Sequence, residues 1–357
     1  MSNLPEKMKA LIARAADDYA LVEMDLPTLG EGDILMKVEA CGICAGDIKA
    51  SHGVSRFWGG DGMPAFCKPP FIPGHEFIGY IAAMGENPPE GFAVGDRVVS
   101  EQIVPCGECY YCKRGMYWLC DPHDVYGFKH YLNGGMAEYI RLPKGSINYK
   151  ISKELPIEKA ILIEPMACSV HAVGQAAATK DDVVVLAGAG TLGLGMVNAL
   201  RVQGVKKLIV MDLNNARLEL AKRMGADVVI NPREEDAVAR VLEMTDGVGC
   251  DIYIEATGHP SAVQQGLDVV RKGGRFVEFS VMSGPSTIDW SIIGDAKEIT
   301  IVGSQLSPHT YPTTIENITN GNYLTDDIVS HKFPLEEWKE AFRVAQTQNA
   351  LKVIVLP

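Results

Sequence analysis

The stretch Gly188-Ala-Gly-Thr-Leu-Gly193 stands between an apolar run, VVVLAG from residue 183, and a segment with one apolar face from Thr191 to about Val202. An apolar run of this length fits a strand buried on both faces, and a glycine-rich turn opening a helix fits the first βα turn of a parallel sheet. The rhythm of strand and helix continues through LIVMD at 208, a helix to Met224, DVVIN at 227, DIYIEA at 251 and RFVEFS at 275. From around residue 155 the chain therefore reads as βαβ winding on a parallel sheet, an α/β pattern. Gly188, Gly190 and Gly193 would let backbone approach a pyrophosphate resting on the positive end of the helix. Asp212, closing the next strand, offers a carboxylate to an adenosine ribose and would repel a 2′-phosphate, which favours NAD over NADP. A glycine-rich turn and a strand-ending Asp that bind nothing are the plain alternative. Arg217, one turn into the next helix, either lies over the adenine or is an exposed charge.

Up to about residue 150 the pattern changes to short strands broken by Gly and Pro: MKALIARA, DILMKVEA, EFIGYIAAMG, GDRVVSEQIV and AEYIRLP. This part reads as mostly β. After ITIVGS at 299 come a long loop, a helix near Leu335 to Gln346 and the apolar strand LKVIVLP. The expected division is residues 1–157 with 300–357 as one domain and 158–299 as the other.

Cys106, Cys109, Cys112 and Cys120 crowd into PCGECYYCKRGMYWLC. Disulfides, a redox pair and a metal cage are the three possibilities. The first twenty residues hold no long apolar run behind a basic start, so the chain is expected in the cytoplasm, where thiols stay reduced and an odd count of nine cysteines argues against a disulfide framework. Three cysteines at three-residue steps and a fourth beyond them can surround one ion, and an all-sulfur shell suits structural zinc with no place for substrate. Four unrelated thiols in a loop are the alternative. Lys and Arg number 33 against 45 for Asp and Glu, a formal charge of -12, which disfavours nucleic acid and anionic membrane as partners.

Cys44 in CGICAGD and His75-Glu76 in PGHEFIG are isolated in sequence, and either alone is more often a packed residue than a ligand. Together with GDRV at Gly95 to Val98, the four-cysteine lobe and the glycine-rich turn, in this order, they resemble the zinc-dependent medium-chain dehydrogenase family over essentially the whole chain. The resemblance implies a GroES-like catalytic domain, with a structural zinc lobe at about 101–122, around the Rossmann domain. It implies a catalytic zinc held by Cys44 and His75, with Glu76 as ligand or close neighbour and Asp47 hydrogen-bonded to His75. LIEPMACSVHA is similar to the polyol branch, sorbitol dehydrogenase included, and so implies Glu164 at the metal or its water. A helix-start Glu favoured by the helix dipole is the other reading of Glu164. The same branch implies Leu192, Asp212 and Arg217 as cofactor contacts and places Ser280, Ser304, Gln305 and Leu306 along the nicotinamide half.

Two departures from the family stand out. Gly46 replaces the usual hydroxyl residue and Lys49 a frequent histidine, so the alcohol proton leaves either through substrate hydroxyls and water or through Lys49. The segment SHGVSRFWGGDGMPAFCKPPFIP is long and carries Phe57, Trp58, Phe66 and Cys67; it is either a lid over the pocket or a surface loop packing its own aromatics. The reading is an NAD-dependent zinc dehydrogenase that oxidises a secondary alcohol of a small polyol to a ketose, most similar to tetritol-oxidising members. Threonine-, glucose- or simple alcohol-type zinc dehydrogenases and a non-catalytic NAD-binding relative are the alternatives. The resemblance also implies a homodimer or homotetramer built through the Rossmann sheet edge.

Overall fold

The computed structural model describes residues 4–60 and 62–357. The chain divides into two units: one runs to Glu164 and takes in Tyr311–Ile315 and Thr325–Pro357, and the other comprises Pro165–Thr310 and Glu316–Leu324. The fold class is α/β, a GroES-like part and a Rossmann part.

The nested unit is built on a six-stranded parallel sheet whose spatial order is Val228–Ile230, Lys207–Met211, Val183–Ala187, Cys250–Glu255, Val270–Glu278, Thr300–Gly303. Chain order reverses beside the strand Val183–Ala187, the switch point at which doubly wound sheets bind ligands beyond the carboxyl ends of their strands. Its core is mostly aliphatic, with Tyr253 and Phe276 among it: Val185, Ile209, Val241, Val269 and Val270 are each at most 1% exposed. β-branched residues pack well on a pleated surface covered on both faces.

The enclosing unit is antiparallel for the most part. Its seven-stranded sheet runs Val329–Pro334, Lys352–Leu356, Ile34–Gly42, Glu76–Met84, Arg97–Ser100, Asn148–Lys150, and Tyr139–Leu142 also pairs with Ile34–Gly42. Lys7–Ala15 and Asp18–Asp25 form a separate hairpin. The GDRV motif places Arg97 at 2% exposure, where its guanidinium donates to Glu39 at 2.7 Å and to the Ser152 and Leu155 carbonyls at 3.0 and 2.5 Å. A buried cation with each of its three nitrogens directed at an oxygen fixes the strand to the segment that leaves the sheet.

Two expectations need correcting. Thr300–Gly303 pairs in parallel with Val270–Glu278, so the nested unit reaches Thr310 instead of stopping at residue 299, and residues 158–164 belong to the enclosing unit. An apolar strand with an open neighbour at the sheet edge is claimed by that sheet before the chain returns. The expected long loop after it contains a helix, Tyr311–Thr319. Its threonines and two isoleucines are poor helix formers in isolation, but Pro312 within the first turn has a preset φ, and Tyr311, fully buried, anchors the start. Among the described residues no helix is long and apolar enough to cross a membrane.

Candidate active site and metal centres

Cys44 and His75-Glu76 are distant in sequence and adjacent in space because the strands Ile34–Gly42 and Glu76–Met84 are antiparallel neighbours, with Gly42 opposite Glu76. Cys44 follows the first strand as N-cap of the helix Ala45–Ser51. Its sulfur, a His75 ring nitrogen and a Glu76 carboxylate oxygen all lie within 4.8 Å of one another. Gly42 has to be glycine, since a Cβ there would collide with the Glu76 carboxylate.

The electrostatics of this group call for a cation. Burial, and then the Glu76 charge, pushes the Cys44 thiol well above its usual range. Asp47 is 1% exposed and burial raises its carboxyl, although the His75 imidazole works the other way. Asp47 Oδ2 accepts the Cys44 backbone N–H at 2.9 Å. The expected Asp47–His75 hydrogen bond is not formed: Oδ1 and Nδ1 are 3.8 Å apart, beyond hydrogen-bond range, and both atoms are buried without a hydrogen-bond partner. The cap bond uses Oδ2 alone and leaves Oδ1 as the oxygen nearest the ring. A thiol, an imidazole and a carboxylate converging in a buried place form a donor set suited to zinc, and the ion's charge would hold the sulfur as thiolate.

Sequence reasoning missed Lys352. Its ammonium, on a residue 4% exposed, donates to Glu76 Oε1 and Oε2 at 2.8 and 2.5 Å and to the Ile43 carbonyl at 3.2 Å. Burial opposes the charge, but Glu76 and Cys44 outweigh it and hold Lys352 above the ordinary lysine range. Glu164, 4% exposed in the first turn of the helix Ile163–Ala176, lies outside the group of three mutually close donors, yet its charge acts on Lys352 and on Cys41. Lys49 sits partly buried on the helix Ala45–Ser51, and burial lowers its pKa.

The long aromatic segment is a packed wall. Phe57 stacks on Phe128 with centroids 5.5 Å apart and meets Phe66 edge-on, and Phe128 lies 5.6 Å from the His75 ring. Trp58 Nε1 donates to the Ala50 carbonyl at 2.6 Å, and Cys67 is buried. The segment's phenylalanines thus pack on Phe128, which in turn meets the group's own histidine, an arrangement that spacing in sequence does not reveal.

The sulfurs of Cys106, Cys109, Cys112 and Cys120 likewise lie within 4.8 Å of one another. Backbone N–H groups of Cys106, Cys109 and Cys112 donate to the sulfurs of Cys120, Cys106 and Cys109 at 3.3, 3.4 and 3.4 Å. N–H donors, first that of Cys112, hold the Cys109 thiol down to about 6. Four converging sulfurs with backbone amides aimed at them fit a structural zinc. The lobe is tied to the sheet through Glu101, which accepts from the Tyr117 and Tyr149 hydroxyls at 2.9 and 2.8 Å.

In the nested unit, Gly188 has φ +106° and a Cβ there would come within 2.5 Å of the Ala256 carbonyl; a Cβ on Gly193 would collide with the Gly188 carbonyl. Gly190, N-cap of the helix Thr191–Gln203, has nothing within 4 Å in its Cβ direction, an open cradle fitting a pyrophosphate. Asp212 accepts Ala189 N–H at 2.7 Å and Asn214 N–H at 2.8 Å, so it shapes the glycine-rich turn. Leu192 lies in the helix's first turn, its carbonyl accepting from Ser169 Oγ at 2.8 Å, and Arg217 lies in the first turn of Asn215–Arg223. Ser280 follows the carboxyl end of one sheet strand; Ser304, Gln305 and Leu306 follow that of its neighbour. Ser304 Oγ is buried without a partner, and Leu306 has φ +54°. An orphaned hydroxyl beyond the strand ends fits a ligand amide or hydroxyl.

Comparison with known proteins agrees with this geometry. Residues 30–153 match the alcohol dehydrogenase GroES-like domain and residues 191–320 the zinc-binding dehydrogenase model. An erythritol/L-threitol dehydrogenase of Mycolicibacterium smegmatis is 44% identical over 100% of both chains. An L-threonine 3-dehydrogenase of Pyrococcus horikoshii is 35% identical over 99% of both. Among solved structures, a zinc-binding dehydrogenase from Sinorhizobium meliloti bound to NADP superposes with a TM-score of 0.90 at 26% identity, covering 99% of this chain and 100% of that one. The chain therefore belongs to the zinc-binding alcohol dehydrogenase family of GroES-like and Rossmann parts, oxidoreductases that work with zinc and a nicotinamide dinucleotide.

Proposed function

We propose that the protein is an NAD-dependent polyol dehydrogenase that oxidises a secondary alcohol of a short sugar alcohol, a tetritol such as erythritol or threitol, to the ketose. The observation that carries the chemistry is the convergence of Cys44, His75 and Glu76 within 4.8 Å. The substrate class is supported by the 44% identity to an erythritol/L-threitol dehydrogenase against 35% to a threonine dehydrogenase.

Cys44 and His75 would hold the catalytic zinc, with Glu76 and Glu164 as carboxylates at or beside it. When bound, zinc supplies a Lewis acid for the alcohol oxygen and NAD supplies the hydride acceptor. Asp47 orients Cys44 through its backbone N–H and, by its charge, favours the proton on His75 Nδ1, leaving Nε2 as a lone-pair donor. Phe57, Phe66 and Phe128 exclude water on the histidine side. The alcohol proton leaves through substrate hydroxyls and water, because a lysine beside a cationic site is turned outward more often than used. Asp212 selects NAD by presenting its carboxylate where NADP carries a phosphate. Cys106, Cys109, Cys112 and Cys120 hold the structural zinc. Thr300–Gly303, the sheet's edge strand with Ile301 42% exposed, is the surface for a second copy in a homodimer or homotetramer.

The test is NAD reduction with tetritols, pentitols, sorbitol, threonine and ethanol, before and after a chelator. Chelator-sensitive turnover highest with a tetritol is expected; highest turnover with threonine overturns the substrate class, and NADP preferred over NAD overturns the cofactor.

A further inference from the structure

Lys129 follows Phe128, whose ring lies 5.6 Å from that of His75, and is itself 3% exposed. A buried ammonium has three N–H donors to satisfy and no acceptor of its own. Lys129 Nζ donates to the Pro122 carbonyl at 2.7 Å, to the His123 carbonyl at 3.2 Å and to Asp124 Oδ1 at 2.7 Å. These acceptors come from consecutive residues just past Cys120, the last cysteine of the lobe. His123 N–H donates back to the Cys120 carbonyl at 2.9 Å, and His123 has φ +47°, a left-handed conformation that a residue with a Cβ keeps only where its surroundings impose it. The turn after Cys120 is thus bent around the ammonium.

Lys129 also reaches the aromatic segment. Its Nζ lies 5.2 Å from the centre of the Phe66 ring, a cation–π distance, and Phe66 packs on Phe128 with centroids 5.3 Å apart. Lys68 N–H donates to the Phe128 carbonyl at 2.8 Å and His130 N–H to the Lys68 carbonyl at 2.9 Å, so the backbone on both sides of Lys129 is paired with the end of that segment. A single buried cation therefore joins the base of the cysteine lobe to the wall beside His75, all within the enclosing unit. An ion in the lobe fixes Cys120 and, through it, the two carbonyls. With the lobe empty the turn at Cys120 is released, and a buried charge short of acceptors moves toward water and off the Phe66 ring.

We infer that Lys129 is a positioning residue through which the filled cysteine lobe holds the aromatic wall beside His75 in place. The lobe's ion takes no part in the chemistry, yet the order of Phe66 and Phe128 depends on it. The inference rests on the lobe being a zinc site, which metal analysis of the same samples decides separately.

The test follows amide hydrogen exchange at Phe66, Cys67 and Lys68 in the full chain, whose N–H groups donate to the Phe57 and Phe128 carbonyls and exchange when the wall opens. Emptying the lobe by Cys109→Ser is expected to speed this exchange about 5- to 150-fold, the range of coupling between two sites, and to raise KM for the alcohol more than it lowers kcat, while amides of the parallel sheet keep their rates. In Lys129→Met the exchange should already be fast with the lobe filled, and adding Cys109→Ser should change it by less than about twofold. Unchanged exchange or an unchanged KM on emptying the lobe, a rise shared equally by the parallel sheet, or the same rise with and without Lys129 overturns the inference. Where Cys109→Ser or Lys129→Met does not stay soluble, the reverse direction decides, because coupling is reciprocal: in a Cys44→Ser chain, whose one zinc sits in the lobe, Lys129→Gln should weaken that zinc by a similar factor in competition with a chromogenic chelator. An unchanged lobe affinity there overturns the inference too. A wild type with no zinc in the lobe refutes the lobe assignment and the inference with it.

Discussion

Lys352 Nζ donates to both carboxylate oxygens of Glu76, at 2.8 and 2.5 Å, in a place where both side chains are at most 5% exposed. Removing one partner leaves the other charge buried and uncompensated, a loss of about 3–5 kcal/mol. Lys352→Met is therefore expected to destabilise the protein strongly. If Glu76 faces the metal, zinc takes up part of the stranded charge, so the drop in chemical-denaturation stability should be larger after chelation than before it. Equal drops in both states would separate Glu76 from the metal.

Metal analysis is expected to find about two zinc ions per chain, one in each convergent donor group. Cys109→Ser should lower thermal stability and solubility, because the lobe loses the ion that organises it. Cys44→Ser should keep the fold and abolish turnover. A fully loaded chain with one zinc removes one of the two assignments, and the variant that still turns over identifies which.

Asp212 shapes the glycine-rich turn and is proposed to select NAD, so two substitutions separate the two roles. Asp212→Asn keeps an acceptor for Ala189 N–H but removes the negative charge, and should relax discrimination against NADP with a modest loss of NAD affinity. Asp212→Ala also frees the glycine-rich turn and should weaken NADH binding about tenfold or more beyond that, by titration of cofactor fluorescence. The same affinity in both variants would show that the contact to Ala189 does not shape the turn.

Burial lowers the Lys49 pKa from its ordinary value, moving its neutral form toward the assay range. A lysine that accepted the alcohol proton would give kcat/KM a rise with pH through that lowered pKa, and Lys49→Met would remove the rise. The expected result is a Lys49→Met profile that overlays the wild type with zinc content intact, as the water route requires.

Ile301→Lys places a charge on the free edge of the parallel sheet and should shift sedimentation from an oligomer to a monomer. An unchanged oligomer would place the association elsewhere.

The nested unit was readable because its signals are local: Gly188, Gly190, Gly193 and Asp212 lie in one βαβ span, and the apolar strands announce themselves. The four cysteines of the lobe are local too. The chemistry around Cys44 was readable only through ordered motifs, since Cys44 and His75 meet by strand pairing over a distance that no periodicity encodes. Lys352 was missed for the same reason, although one signal was present: a lysine in the apolar run LKVIVLP has to find a buried anion. The wall at Phe57 and Phe128 depends on where a long irregular segment folds back, which composition cannot specify. Asp47 illustrates the limit in the other direction, for its residue type suited the histidine while its nearer carboxylate oxygen stops 3.8 Å from the ring nitrogen.

Glu76 and its partner Lys352 are 276 residues apart, and all six strands of the parallel sheet are encoded between them. On a translating ribosome, Cys44, His75 and Glu76 emerge early, while the strand that covers Glu76 and pairs with Ile34–Gly42 is still unmade. The inserted Rossmann unit has its whole sheet in one continuous stretch and can fold while the outer unit waits with an unfinished edge and an uncompensated acid. Zinc capture at the cysteine lobe, complete within residues 106–120, can happen during synthesis. Cys44, His75 and Glu76 reach their final surroundings only after the last strand arrives, so the completion of this donor group waits for the end of synthesis.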